Sequence, residues 1–221
     1  MIIAIDGPSG SGKSTLGRML ARALKLLYID TGSMYRAVAL AVIEANLDRS
    51  DTEAVTALAN RIHIDLEGDP DSLSVLLDGR DVTEQIRSES VTDMSSVIST
   101  IPGVRRAMVK RQRALGKRGA VLNGRDIGTV VFPDADVKFF LTAAPQERAE
   151  RRYKEDQMTS GSSATLAETL ADMIERDRRD STRVDSPLRV ADDATVVDST
   201  GKSIEEVFAE MMDRINVHRN Y

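Results

Sequence analysis

The stretch Ile2-Ile3-Ala4-Ile5-Asp6-Gly7-Pro8-Ser9-Gly10-Ser11-Gly12-Lys13-Ser14-Thr15 decides how the rest of the chain is read. A short apolar run stops at an aspartate, a glycine-rich loop follows, and Leu16, Met19, Leu20, Ala23 and Leu24 then recur at the spacing of one helix face. Between a strand and a helix, Gly7 to Ser14 fits G-x-x-x-x-G-K-[ST], the pattern of a loop that cradles phosphate. Glycines permit the positive φ values that turn successive backbone N–H groups toward one anion, and the following helix adds its positive dipole end. The nucleotide-phosphate site is therefore expected at Gly7, Pro8, Ser9, Gly10, Ser11, Gly12, Lys13, Ser14 and Thr15, with Lys13 neutralising β- and γ-phosphate charge and the Ser14 hydroxyl as a ligand of Mg2+. A glycine-rich turn that holds nothing would not call for the Lys-Ser pair in this register.

The same strand-loop-helix unit repeats outward from there. Residues 26–29 form a second apolar run ending at Asp30-Thr31-Gly32, and helical spacing resumes over 34–45. Further buried-strand patterns lie at 120–122, 137–141 and 195–197. Five such strands separated by helices predict an α/β fold with a five-stranded, mostly parallel sheet and helices on both faces. Between the second and third strands, 62–66 and parts of 73–78 alternate, and Asp78-Gly79-Arg80 marks a turn before Asp81-Val82, which predicts a small antiparallel insertion. Helices are expected over 88–99 and 102–115. Residues 144–189 are highly charged, include a flexible Thr-Ser-Gly-Ser-Ser at 159–163 and carry two arginine-bearing helices, which reads as a short mobile helical lid. The expected division is a core of 1–30, 100–143 and 190–221, an inserted region of 31–99 and a lid of 144–189.

At 221 residues, the chain is long enough for one sizeable core with an excursion. It contains no cysteine and two histidines, which excludes disulfide frameworks, a catalytic thiol and a multi-histidine metal cluster. The opening residues carry no basic segment ahead of a long apolar one, and no run is long enough to span a bilayer, so a cytoplasmic location is expected and membrane insertion is not. A formal net charge of −5 speaks against nucleic-acid binding, yet 23 of the 30 basic residues are arginine, which suits local anion sites.

The guanine-reading Asn-Lys-x-Asp of GTPases is missing, since none of the five asparagines precedes a lysine. The strand at 120–122 runs into Asn123-Gly124-Arg125-Asp126 instead of ending in the carboxylate of a motor or transport ATPase. What remains is a kinase for a small acceptor. Arg36 follows the second strand and Arg125 the third, so both arrive at the carboxyl rim of the sheet, where two guanidinium groups can clamp a phosphate facing the donor.

Taken together, the phosphate loop, Asp-Thr-Gly-Ser-Met-Tyr-Arg at 30–36, Gly-Arg-Asp-Ile-Gly-Thr-Val-Val-Phe-Pro-Asp-Ala at 124–135 and Glu-Arg-Asp-x-Arg-Asp at 175–180 resemble the bacterial cytidylate (CMP/dCMP) kinases over nearly the whole chain. The resemblance implies the P-loop nucleoside monophosphate kinase fold, with an antiparallel insertion in the NMP-binding region, and the reaction ATP + (d)CMP = ADP + (d)CDP by in-line transfer with Mg2+. It implies an acceptor-phosphate site at Thr31, Arg36, Arg125 and Arg183, cytosine recognition at Ser96, Arg105 and Asp126, and ribose contacts at Arg176 and Asp180. Lys13, Arg125 and Arg183 would carry catalysis by cancelling charge on the transferring group. An acceptor phosphate with a second pKa near 6 is mostly ionised at pH 7, so no general base is needed. The chain departs from the resemblance at Asn123, where an acidic residue is frequent, and at Thr31, where serine is frequent. The expected protein is a monomer acting on CMP and dCMP. The alternatives are a P-loop kinase for UMP or a shikimate-like acceptor, and a non-catalytic nucleotide-binding or RNA-associated protein.

Other residues receive plainer expectations. Arg148, Arg151 and Arg152 form a stripe that either reaches ATP or transition-state oxygens or is a solvated face. His63 and His218 are expected to be structural or solvated, and Tyr28, Phe139 and Phe140 to pack in the core. Lys110, Arg111, Arg113, Lys117 and Arg118 read as a solvated helix face.

Overall fold

The computed structural model describes residues 1–159 and 163–219, so residues 160–162 of the stretch read as flexible lie outside the described residues. In chain order the elements are β1 (Ile2–Asp6), α1 (Lys13–Leu24), β2 (Leu27–Asp30), α2 (Thr31–Glu44), α3 (Thr52–Arg61), β3 (Ile64–Glu67), β4 (Ser74–Leu77), β5 (Arg80–Asp81), α4 (Glu89–Ile98) and α5 (Pro102–Gly116). They continue with β6 (Ala120–Gly124), β7 (Val137–Thr142), α6 (Pro145–Thr159), α7 (Leu166–Thr182), β8 (Thr195–Asp198) and α8 (Ile204–Arg219).

The five predicted strands form one parallel sheet in the order β2-β6-β1-β7-β8, and β3-β4-β5 form the antiparallel insertion. Strand β1 is central and apolar on both faces because both are covered. Ile3 and Ile5 pack with Leu16, Leu20, Met211 and Ile215, whereas Ala4 faces Met34, Val38, Val104 and Met108. The order of strands turns back beside β1, where Asp6 stands in register with Gly124 of β6. At such a switch point the carboxyl ends of adjacent strands splay and leave a ligand crevice. The first residues of the phosphate loop and the Gly124-Arg125-Asp126 segment therefore share one rim.

Local chemistry sets several boundaries that apolar spacing misses. Helix α2 starts at Thr31, not at 34, because the Asp30 carboxylate accepts from the N–H groups of Gly32 (3.0 Å) and Ser33 (3.3 Å) and caps it. A capping box of Thr165 and Glu168 opens α7. Helices α3 and α8 are not singled out by the sequence reading. Yet α8 buries Val207, Met211 and Ile215 one turn apart against the Ile3/Ile5 face of the sheet.

The basic stretch at 110–118 corrects the expectation of a solvated face at Arg111, and Arg113, though exposed, is also bonded. Arg111 donates to the carbonyls of Ala59 (2.6 Å), Asn60 (3.2 Å) and Ile62, satisfying the carboxyl end of α3. Arg113 donates to Val130 (2.7 Å) and Val131 (2.8 Å) in the turn after β6. Lys110, Lys117 and Arg118 are exposed, as are His63 and His218. Tyr28 and Phe139 are buried in the core, and Phe140 is half-buried. Among the described residues, no helix is long and apolar enough to cross a membrane.

Candidate active site

The loop between β1 and α1 has the backbone that its glycines predict. Gly7 has φ +146° and Gly10 φ +71°, and a Cβ would lie 2.0 Å from the Leu141 carbonyl oxygen at Gly7 and 2.5 Å from that of Arg148 at Gly10. Only glycine lets the chain pass so close to its neighbours. Lys13, 7 % exposed, curls over the loop, donating to the Pro8 carbonyl and standing 3.4 Å from the Ser11 hydroxyl. Burial, reinforced by the nearby Arg125 charge, pulls its ammonium well below the ordinary lysine range. An anionic ligand on the loop would return that proton affinity.

Ser14 opens the helix beside the end of β6. Asn123 donates from Nδ2 to the Ser14 hydroxyl (3.1 Å), while its Oδ1 is buried without a partner among the described residues. Thr15 is exposed at the first turn. Asp6, at the end of β1, accepts the N–H groups of Ile127 (2.8 Å) and Gly128 (2.7 Å). Burial, with Asp126 adding to it, outweighs those two bonds and raises the Asp6 carboxyl to about 6. No cluster of three or more metal-ligating side chains occurs among the described residues. A Mg2+ ion bound chiefly through substrate phosphates and water needs no such cluster, and the Ser14 hydroxyl with the orphaned Asn123 oxygen supplies the donor chemistry it requires.

Across the rim lies a run of alternating charges drawn from distant parts of the chain. Arg105 of α5 pairs with Asp126 (2.5 Å), Asp126 stands 3.7 Å from Arg183, Arg183 is 3.4 Å from Asp180, and Asp180 is 2.8 Å from Arg125. Arg105 is 2 % exposed and also lies over the Tyr35 ring, 5.5 Å from its centroid. Although burial works against its charge, Asp180 is held below the usual carboxylate range because Arg125, Arg176 and Arg183 surround it. Arg176, removed from water and repelled by Arg125, is brought down to about 10. Arg36 and Arg152 add to that repulsion, and Arg176 in turn acts on Lys13. The basic groups expected around the acceptor thus share one electrostatic neighbourhood with the lysine of the phosphate loop.

The remaining expected residues sit as follows. The Thr31 hydroxyl donates to the Asn123 carbonyl (2.7 Å), and Arg36 is 3.4 Å from Asp30 with its Nε buried and unpartnered among the described residues. A cavity of about 580 Å³ adjoins Arg36, Asp30 and Ser33 and reaches Val75, Asp81 and Thr83 of the insertion. It excludes Arg125, Asp126 and Arg183, whose charges already close on one another. Ser96 accepts from Arg179 of α7 (2.6 Å), so it is joined to the rim through α7. Arg148 is buried, and its Nε and Nη1 donate to Ala143, Ser9 and Asp177. Arg151 binds Glu147 and Ser199, and Arg152 pairs with Glu155 (3.4 Å) and Asp156 (2.9 Å).

Asp6 and Tyr35 belong to this site and Asp177 stands behind it on Arg148, although the sequence reading assigns these three no role; Arg179, expected on one helix face with Arg176, Asp180 and Arg183, bonds Ser96. Asp6 had a signal, as the acidic end of the strand before a phosphate loop. Tyr35 and Asp177 are placed by tertiary contacts that spacing does not encode.

A family model described as cytidylate kinase matches residues 3–217. The chain is 47 % identical over 215 residues to a cytidylate kinase of Geobacter sp. (strain M21), covering 97 % of this chain and 91 % of the relative. It is 50 % identical over 209 residues to a cytidylate kinase of Solibacter usitatus (strain Ellin6076), covering 94 % and 88 %. An uncharacterized protein from Eubacterium ventriosum ATCC 27560 shares the fold at a TM-score of 0.55 and 11 % identity, with 98 % of each chain covered.

Proposed function

The chain belongs to the cytidylate kinase family and is a phosphotransferase acting on cytidylate, and from that premise we propose how its residues carry the reaction. ATP is the donor, and CMP and dCMP are the acceptors. Gly7 to Thr15 hold the donor phosphates, with Lys13 on the β- and γ-oxygens. Arg36, Arg125 and Arg183, with the Thr31 hydroxyl, hold the acceptor phosphate, Ser96, Arg105 and Asp126 read the cytosine, and Arg176 with Asp180 hold the ribose. The observation that carries this reading is the Arg105-Asp126-Arg183-Asp180-Arg125 series of ion pairs, whose last guanidinium acts electrostatically on Lys13.

The acceptor oxygen arrives ionised, so the residues have little covalent chemistry to perform. Their work is to bring two polyanions together in line and to spread the charge of the transferring group over Lys13, Arg125 and Arg183. Mg2+, bound by Ser14 with the Asn123 oxygen close by, would screen the phosphate oxygens. Asp126 gives base selectivity: a carboxylate accepts from the cytosine amino group and repels the uracil carbonyl, and a mismatched buried polar pair costs about 1–3 kcal/mol. Residues 144–189 serve as the lid and 31–99 as the acceptor-binding insertion.

Release of ADP on adding CMP, dCMP, UMP, AMP or shikimate to enzyme and ATP tests the reading. CMP and dCMP are expected to exceed the others in kcat/KM by at least about ten-fold. Preference for UMP or shikimate, or binding of CMP without turnover, would overturn it.

A further inference from the structure

Helices α6 and α7 meet the phosphate loop around Arg148. Arg148, 6 % exposed, donates from Nη1 to the Ser9 carbonyl (3.0 Å) and to the Asp177 carboxylate (2.7 Å), and from Nε to the Ala143 carbonyl (3.1 Å). Ser9 is in the loop, and Asp177 follows Arg176 on α7, one turn before Asp180 and six residues before Arg183, which caps the end of α7. The contact is tight as well as polar. A Cβ on Gly10 would meet the Arg148 carbonyl oxygen at 2.5 Å and Met173 of α7 at 3.0 Å. The loop therefore cannot move toward α6 and α7 without displacing them.

In a phosphate cradle the N–H groups face the anion and carbonyls face away. Arg148 takes the Ser9 carbonyl, as Lys13 takes that of Pro8, and holds the peptide in that orientation. Because the guanidinium is a rigid fork, fixing the loop also fixes where its other bond directs Asp177. The second carboxylate oxygen of Asp177 is buried without a partner among the described residues, which leaves the Arg148 bond as the tie that positions this side chain. We propose that Arg148 is a positioning residue that couples the two substrate sites: a nucleotide on the phosphate loop tightens CMP binding, and CMP tightens nucleotide binding by the same factor, through the Ser9–Arg148–Asp177 bridge. The coupling arises because ordering the loop pre-orders the helix that carries Arg176 and Asp180 and ends at Arg183, so the second ligand has less ordering left to perform. This inference rests on the functional reading above for the identity of both ligands.

Calorimetric titration of CMP into the full-length protein, with and without saturating ADP, measures the factor. In the unmodified protein ADP is expected to lower the CMP Kd by about five-fold or more. Arg148→Met and Asp177→Ala are each expected to bring the factor close to one, while CMP affinity without ADP changes less. Arg148→Lys, which keeps a cationic donor, is expected to recover part of it. A merely structural role would lower the melting temperature of these variants and leave the factor intact, and that result overturns the proposal. So does an unmodified protein that binds both ligands with a factor of one. Failure of the unmodified protein to bind CMP at all would count against the functional reading instead. If Arg148→Met does not fold, Asp177→Ala decides between the outcomes.

Discussion

Lys13→Ala is expected to lower kcat/KM for CMP phosphorylation by about 100- to 1,000-fold, the usual loss when one preorganised charge-stabilising donor is removed from the transferring group. The fold should survive. Lys13 is nearly buried, and both its burial and the Arg125 charge already weaken its protonation, so the protein carries this ammonium at a cost to its own stability. Removing it relieves that cost and leaves the core against α1, built from Leu16 and Leu20, untouched. Steady-state kinetics paired with thermal unfolding check both halves. Turnover within about three-fold of the unmodified enzyme would assign charge stabilisation to other residues, and a collapsed melting temperature would show that the lysine holds the loop rather than the phosphates.

Asp126 carries the second large effect, which has two separable parts. Asp126→Ala leaves Arg105, 2 % exposed, without its carboxylate, and breaking a buried pair in this way destabilises by about 3–5 kcal/mol. Arg183, 3.7 Å from the same carboxylate, loses a partner too. Asp126→Asn keeps the shape and tests base reading, because an amide can present either a donor or an acceptor to the base edge. The CMP-to-UMP ratio of kcat/KM is expected to fall by about ten-fold or more in Asp126→Asn, in proportion to about 1–3 kcal/mol of lost discrimination. Denaturant unfolding of the alanine variant and a two-acceptor assay of the asparagine variant make the comparison. An unchanged ratio would move base selection to other residues.

The parallel sheet is legible in the sequence because its central strands are buried on both faces, and such strands are short apolar runs between turn residues. Ile2–Asp6 and Val137–Thr142 are examples. The phosphate loop is legible because its glycine, lysine and serine positions are fixed by a shared local geometry. Start of α2 at Thr31 is hidden from apolar spacing, since it depends on one carboxylate bonding two N–H groups. Arg111 and Arg113 show the same limit. On a helical wheel they look solvated, and only the fold reveals the orphan carbonyls they satisfy. At the site, the resemblance brought Arg105, Asp126, Arg183, Asp180 and Arg125 onto one list, but their order as a continuous charge series is a tertiary fact. Arg148 is the clearest case. Its stripe with Arg151 and Arg152 suggests a common role, whereas the structure turns Arg148 inward to Ser9 and Asp177 and commits Arg151 to Glu147 and Ser199.

The most direct measurement is a crystal structure of the protein with CMP and ADP bound together. The account predicts the CMP phosphate within hydrogen-bonding distance of Arg36, Arg125 and Arg183, on the side of the base that faces the β-phosphate of ADP above Lys13. A CMP phosphate bound away from those three arginines, or a cytosine that does not meet Asp126, would contradict it.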